Sequence, residues 1–205
     1  MGAVTSETEA LGHTTENGVC ERCGQTIGGD TPAKETFQAD FGTVEKTNTS
    51  YVTSTTTSGW KATNCAVLSG GTSDSNPVFK MIGAASNKAF CLNGKTSAKG
   101  TITSPTISGG ISKMTFSYGL PFSDTKIKFT VNIKQNDKVV ATKTITNTSA
   151  SKLTKYEFVW DLEAEGVAVE GDFTIEIVND SPSNSTSNKD RTAIWDLTWT
   201  NNPTK

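Results

Sequence analysis

The chain reads as an all-β protein, an antiparallel β-sandwich of jelly-roll type preceded by an extended N-terminal segment. Three observations carry this expectation. Apolar residues recur at every second position in run after run between residues 36 and 202, the period of a strand with one dry face. Gly, Asn, Asp and Pro separate those runs at short intervals, as turns do. Thr, Ser and Asn are abundant throughout, and β-branched Thr suits a pleated, half-exposed surface. No window carries an apolar stripe at i, i+3, i+4 and i+7, so the sequence predicts strands without helices.

Along the chain, residues 1–35 hold no sustained period, and "GGDTPAKE" at 28–35 has the character of a linker. The boundary is placed near Glu35, between a spacer over 1–35 and a sandwich module over 36–205. Early strand candidates are "ETFQADF" and the stretches around Cys65, Phe79 and Phe90. "ISKMTFSYG" aligns Met114, Phe116 and Tyr118, and the glycine pair Gly109-Gly110 before it supplies the positive φ of a turn. "KIKFTVNIKQ" sends Ile127, Phe129, Val131 and Ile133 one way and Lys128, Thr130, Asn132 and Lys134 the other. "NDK" then turns the chain back into "VVATKTIT". "YEFVWDL" aligns Tyr156, Phe158, Trp160 and Leu162; "GDFTIEIVND" aligns Phe173, Ile175 and Ile177; "AIWDLTW" is expected to align Trp195, Leu197 and Trp199. Eight to ten half-apolar strands belong in two antiparallel sheets that bury their dry faces together.

Composition narrows the function. The 205 residues carry a net charge of -2, which gives no footprint for nucleic acid or anionic membranes. No stretch approaches the ~20 apolar residues of a membrane-spanning helix. "MGAVTSETEALG" has neither a basic start nor an apolar run, and the final "WTNNPTK" follows directly on a strand-like run. With no signal segment visible, the chain reads either as a cytoplasmic protein or as a piece of something larger. The "MG" start and the abrupt end favour the piece, a monomeric module of a larger chain, and the Thr/Ser/Asn bias suits a secreted one. Cys65 and Cys91 read either as one disulfide or as two buried free thiols.

The segment "GHTTENGVCERCG" holds the single histidine, His13, together with Cys20 and Cys23 in a C-x-x-C. Tetrahedral zinc takes four ligands; three are offered, with Glu16 or Glu21 as a carboxylate fourth. The segment therefore reads as a short hairpin in a linker, with a small zinc knuckle as the alternative. A redox C-x-x-C would need a βαβ setting that the sequence lacks. "EALGHTTENGVCERCGQ" resembles short Cys-x-x-Cys spacers between modules of large surface proteins of anaerobic Gram-positive bacteria, which implies a secreted, multi-modular parent. A second resemblance rests on "FGTVEKTNTSYVTSTTTSGWKATN", "GTITSPTISGGISKMTFSYG" and "GDFTIEIVND…DRTAIWDLTWT". These are similar to carbohydrate-binding jelly-roll modules attached to extracellular glycan-degrading enzymes and bacterial surface proteins. In that pattern the last strand often reads Ile-Asp-Asn-Ile after an Arg. Here Arg191 is followed by Ile194-Trp195-Asp196-Leu197, so Trp195 stands in place of the first acidic residue.

A catalytic triad needs a base beside its nucleophile, and the one histidine lies outside the sandwich. The acids Asp124, Asp161, Glu163, Glu165, Asp172, Glu176, Asp190 and Asp196 fall at turns or on wet strand faces, with no pair that stands out as the two carboxylates of a glycosidase. No enzyme is expected. Sugar rings stack on flat exposed aromatics, and Trp60 with Tyr118 form the expected platform. Trp160, Trp195 and Trp199 share strand faces with aliphatic residues and are expected in the core. Lys126 and Lys128, with Lys134, make a basic stripe that would meet an acidic glycan, with a solubilising strand face as the alternative. Asp40 and Asp196 are candidates to flank a structural calcium. The expected function is that of a non-catalytic module binding a polysaccharide at the cell surface or outside the cell. The alternatives are a structural or adhesive spacer and an accessory piece of a larger extracellular hydrolase.

Overall fold

The structure is a computed structural model that describes residues 15–16, 19–20, 32–43, 51–71, 77–84, 86–181 and 189–203. The chain divides into two compact units, residues 1–33 with Lys205, and residues 34–204. In the first, β1 (Thr15–Glu16) and β2 (Val19–Cys20) pair antiparallel, with Thr15 opposite Cys20 and Glu16 opposite Val19. The two residues between them in sequence are Asn17-Gly18, a dipeptide that favours tight hairpins. A hairpin backbone is common to both readings of this segment. His13, Glu21 and Cys23 lie outside the described residues, and only the backbone of Cys20 is described.

The second unit contains β3 (Thr36–Gln38), β4 (Val52–Thr55), β5 (Lys61–Ser69), α1 (Pro77–Ile82), β6 (Lys88–Leu92), β7 (Thr101–Thr103), β8 (Lys113–Gly119), β9 (Ile127–Gln135), β10 (Lys138–Asn147), β11 (Tyr156–Asp161), β12 (Thr174–Asn179) and β13 (Thr192–Thr200). Among the described residues these eleven strands exceed the eight to ten expected, because β4 and β7 are too short to show a period. The order is β10-β9-β12-β7-β5-β6-β13-β8-β11, with β4 beside β5 and β3 beside β13. Every pairing between these strands is antiparallel.

The path curls so that its two ends face one another across a shared interior. Phe129 of β9 meets Tyr118 and Phe116 of β8 at ring-centroid distances of 5.1 and 5.6 Å, and Phe158 of β11 at 6.0 Å. Neither β8 nor β11 is a neighbour of β9 in the ladder, so these are contacts between layers. Sheet I comprises β10, β9, β12, β7, β4 and the first half of β5. Sheet II comprises the second half of β5, then β6, β13, β8, β11 and β3. The switch occurs at Asn64, whose φ of 51° bends β5. Before it, Lys61–Thr63 pair with β7; after it, Cys65–Ser69 pair with β6. Corners where a strand changes sheet characteristically use such a bend.

Strict alternation delivers the interior. Ile127, Phe129, Val131, Ile133, Met114, Phe116, Phe158, Trp160, Leu162, Phe173, Ile175 and Ile177 all lie in one buried cluster. Each such side chain contributes about 1.5–3 kcal/mol by leaving water. The β9–β10 hairpin closes through Asn136 and Asp137, with φ of 48° and 63°, the paired left-handed conformation whose twist matches the flanking strands. Gly110 has φ of 69°, and a Cβ there would lie 2.3 Å from the Val169 carbonyl oxygen. Near the end of the chain, β3 runs beside β13 with Thr36 opposite Thr200, and Asn201 N–H donates to the Glu35 carbonyl at 3.0 Å.

Two expectations are corrected here. The stretch around Phe79 is helical, not a strand: α1 spans Pro77–Ile82, with Pro77 at the first helical position, where its missing N–H costs nothing. Six residues are too few to display a helical period. Trp195, Leu197 and Trp199 do not share a face. Leu197 joins the interior cluster and Trp199 packs at its margin, but Trp195 belongs to a second cluster with Ala66, Leu68, Ile82, Ala89, Cys91 and Ala193 on the outer side of sheet II. The reason is a β-bulge between Trp195 and Thr198, with Asp196 at φ of 52°; one extra residue inverts the alternation beyond it.

The same geometry separates the cysteines. Cys65 lies opposite Leu92 and Cys91 opposite Ala66, so the two sulfurs belong to opposite faces of one ladder, Cys65 to the interior cluster and Cys91 to the second. Both are buried free thiols. Burial pushes both upward in pKa, Cys91 to about 12 from an ordinary 9.0. Folded thiols that bind their proton more tightly than unfolded ones stabilise the fold up to the unfolded value and lose that contribution as pH climbs through the folded one. The melting temperature is therefore expected to fall as pH rises from 9.0 toward 12. A Cys65→Ala/Cys91→Ala variant should show a shallower fall in thermal melts over that range; an identical slope would refute the assignment.

Candidate functional site

The expected platform is not at the surface. Trp60 is 3% exposed and Tyr118 is 7% exposed. Trp60 stands edge-on to Phe41 at 5.0 Å, and its backbone N–H is held by Thr56 Oγ1. Tyr118 stacks on Tyr156 and meets Phe129. Both rings plug the interior, and neither offers a face to a ligand. Trp160 and Trp195 are likewise enclosed.

The exposed aromatic surface lies elsewhere, on β3 and the end of β13. Phe37, 39% exposed, stacks on Trp199 with centroids 5.6 Å apart and 21° between planes. The register explains the pair: Phe37 is directly opposite Trp199, where cross-strand aromatics reinforce one another. Beside the two rings lies a depression of about 330 Å³ completed by Thr106, Ile107 and Ser108. The Trp199 indole N–H is enclosed and donates to nothing among the described residues. The sequence hid this site for two reasons. Phe37 sits in a strand of three residues, and Trp199 follows the bulge that shifts its face.

The basic stripe is partly as expected. Lys126 and Lys128 are exposed. Lys134 pairs with Glu176 at 2.5 Å, and Glu176 also accepts from Asn132 at 3.0 Å, so the third lysine belongs to a cross-strand network. Asp40 and Asp196 do line one depression, of about 140 Å³. Asp40 already accepts from the Gly42 N–H and the Ser58 hydroxyl, both at 2.8 Å, and these hold its carboxyl below the usual range. Lys155 Nζ stands 4.0 Å from Asp196.

Other acids are committed to architecture. Asp124 binds the Arg191 guanidinium, Glu165 accepts from Trp160 Nε1 at 3.0 Å and from Lys143, and Asp161 accepts from the Ala164 N–H at 2.9 Å. Among the described residues no group of three His, Cys, Asp or Glu side chains could hold a metal ion.

Neither a family model nor a curated protein matches the sequence. Solved structures do match at low identity. One is an exo-beta-1,3-galactanase from Phanerochaete chrysosporium with galactose, 14% identical over 82% of this chain at a TM-score of 0.41. This chain spans 29% of that enzyme's length. A family 11 carbohydrate-binding module from Clostridium thermocellum in complex with a mixed-linked tetrasaccharide is 10% identical, covering 84% of this chain and 91% of that one at 0.39. A Stig cyclase from Fischerella sp. is 12% identical, covering 86% and 88% at 0.44. Carbohydrate-binding modules, a glycoside hydrolase and a cyclase thus all stand among the structures this chain resembles.

Proposed function

We propose that the chain is a non-catalytic module that binds a polysaccharide, acting as part of a secreted or cell-surface bacterial protein. The stacked pair of exposed Phe37 and half-buried Trp199, with Thr106 and Ser108 beside it, carries the reading. A pyranose ring has an apolar C–H face that stacks on an aromatic plane, while its hydroxyls need polar neighbours. The two side-chain hydroxyls supply those, and a two-strand base holds the rings in place. The carbohydrate-binding module named above is consistent with this reading, and Lys126 and Lys128 extend it to acidic glycans. Two metal sites belong to the same proposal: zinc at His13, Cys20 and Cys23, and calcium between Asp40 and Asp196. Elemental analysis of the wild type and of His13→Ala tests the first, and a thermal shift on adding calcium tests the second.

The deciding experiment is a glycan screen over neutral and acidic polysaccharides, followed by titration of Phe37→Ala. Loss of a stacked aromatic ring should weaken binding about tenfold. Trp199 is the one tryptophan of four that is not buried, so its fluorescence should shift with ligand and resist acrylamide quenching in the complex. Silence across the screen would favour the spacer reading and end this one.

A further inference from the structure

The outer face of sheet II carries a feature that the aromatic pair does not use. Its cross-strand rows run Glu157–Ser117–Trp195 and Val159–Thr115–Thr198–Gln38 over β11, β8, β13 and β3. Trp195 packs in the second cluster beside α1 and Ser117 is buried next to it, but the other positions form an open floor. Thr115 and Thr198 hydroxyls bond each other at 2.7 Å. Over this floor lies a depression of about 290 Å³ bordered by Lys155, Glu157, Val159 and Asp196. Asp196 also lines the smaller depression toward β3, which Asn87 and Lys88 border. The two hollows share one lining side chain, Asp196.

The bulge explains how Asp196 comes to stand there. Strict alternation after Trp195 would turn the next residue toward the interior. The left-handed backbone at Asp196 instead leaves its carboxylate outside, with its side chain 38% exposed. Re-aiming one side chain is what a bulge does. The Glu157 carboxylate makes no hydrogen bond or ion pair among the described residues, and that of Asp196 has only Lys155 at 4.0 Å. Two carboxylates with spare acceptor capacity thus line a groove that also holds an ammonium group, hydroxyls and the exposed Val159.

We infer that these two hollows join over Asp196 into a trough that is a second binding site, an extended track for a linear, hydroxyl-rich polysaccharide chain. The inference rests on the glycan-binding reading and adds a separate surface to it. Carboxylates accept pairs of neighbouring sugar hydroxyls, and charge-assisted bonds are the stronger kind. Lys155 and Lys88 donate to ring and glycosidic oxygens, and Val159 meets C–H surface. Three strand spacings measure about 14 Å, longer than a single sugar ring, so several consecutive units lie in the track at once. The aromatic pair, with two rings in one stack, holds a single unit.

The difference in length gives the test. Gels cast with mixed-linkage β-glucan, β-1,4-galactan, xylan or pullulan are run with the full chain, with Glu157→Gln/Asp196→Asn and with Phe37→Ala. Oligosaccharides of the retarding polysaccharide, from disaccharide to hexasaccharide, are then titrated calorimetrically. Asn tolerates the left-handed conformation as Asp does, and the thermal melt of the double variant checks its fold. Wild type and Phe37→Ala should bind tighter as the oligosaccharide lengthens. The double variant should lose that dependence and bind the longest chains at least tenfold more weakly. Unchanged length dependence in the double variant overturns the track and leaves the glycan-binding reading intact. No retardation of the wild type by any polysaccharide overturns both.

Discussion

Asp124→Ala is expected to destabilise the protein by about 3–5 kcal/mol. Asp124 is 2% exposed and accepts from four donors: Lys189 N–H at 3.0 Å, Arg191 N–H at 3.1 Å, Arg191 Nε at 2.8 Å and Arg191 Nη2 at 3.3 Å. It ties the connection between β8 and β9 to the segment entering β13. Removing the carboxylate leaves a half-buried guanidinium without its counter-charge and two backbone N–H groups without acceptors, each costly when enclosed. Stacking of Arg191 on Phe122, at 4.2 Å, remains but replaces no hydrogen bond. Urea unfolding should show the midpoint falling with little change in slope. A loss under about 1 kcal/mol would mean that water reaches the cluster and that the pair behaves as a surface one. Asp124→Asn, which keeps the shape but turns a donor toward Arg191, should fall between the wild type and Ala.

Trp195→Ala should cost a similar amount, about 3–5 kcal/mol, and its local consequence is more specific. Trp195 is the largest member of the second cluster, and Ile82 and Met81 of α1 pack there. A helix of six residues has no stability of its own. Emptying its seat should release it and open a path to Cys91, while Cys65 stays sealed in the interior cluster. In a Cys20→Ser/Cys23→Ser background, a thiol reagent should then label one cysteine of Trp195→Ala under native conditions and none of the parent. Equal labelling of Cys65 and Cys91 would indicate global unfolding instead of local release.

Most of the sandwich was legible because its long strands obey a two-residue period without interruption. In β9, all four interior positions are fully buried and the intervening ones are not. Asn136-Asp137 and Gly109-Gly110 also announce their backbone conformations through residue type. Failure is concentrated where one local event resets the period. The bulge at Asp196 sent Trp195 outward and brought Trp199 to the rim, and nothing in "AIWDLTW" marks an inserted residue except an Asp, which tolerates left-handed φ. The aromatic platform went unseen for the same cause. Exposure is a property of layers and ends, so Trp60 after a loop-like "TTTSG" looked outward although it seals the interior. The sequence offers Asp196 as a metal candidate from its place on the last strand. The hollows on either side of it could not be foreseen, because their lining comes from strands and segments far apart in sequence, which only the sheet order brings side by side.

The antiparallel pairing of Thr36 with Thr200 brings the two ends of the sandwich out at one corner, where Asn201 and Glu35 bond one another. A pull applied to both ends would load these contacts in succession, like a zipper, instead of shearing them together. The first and last strands would separate at low force while the remaining ladder held. The arrangement is poorly built to bear tension between its two ends.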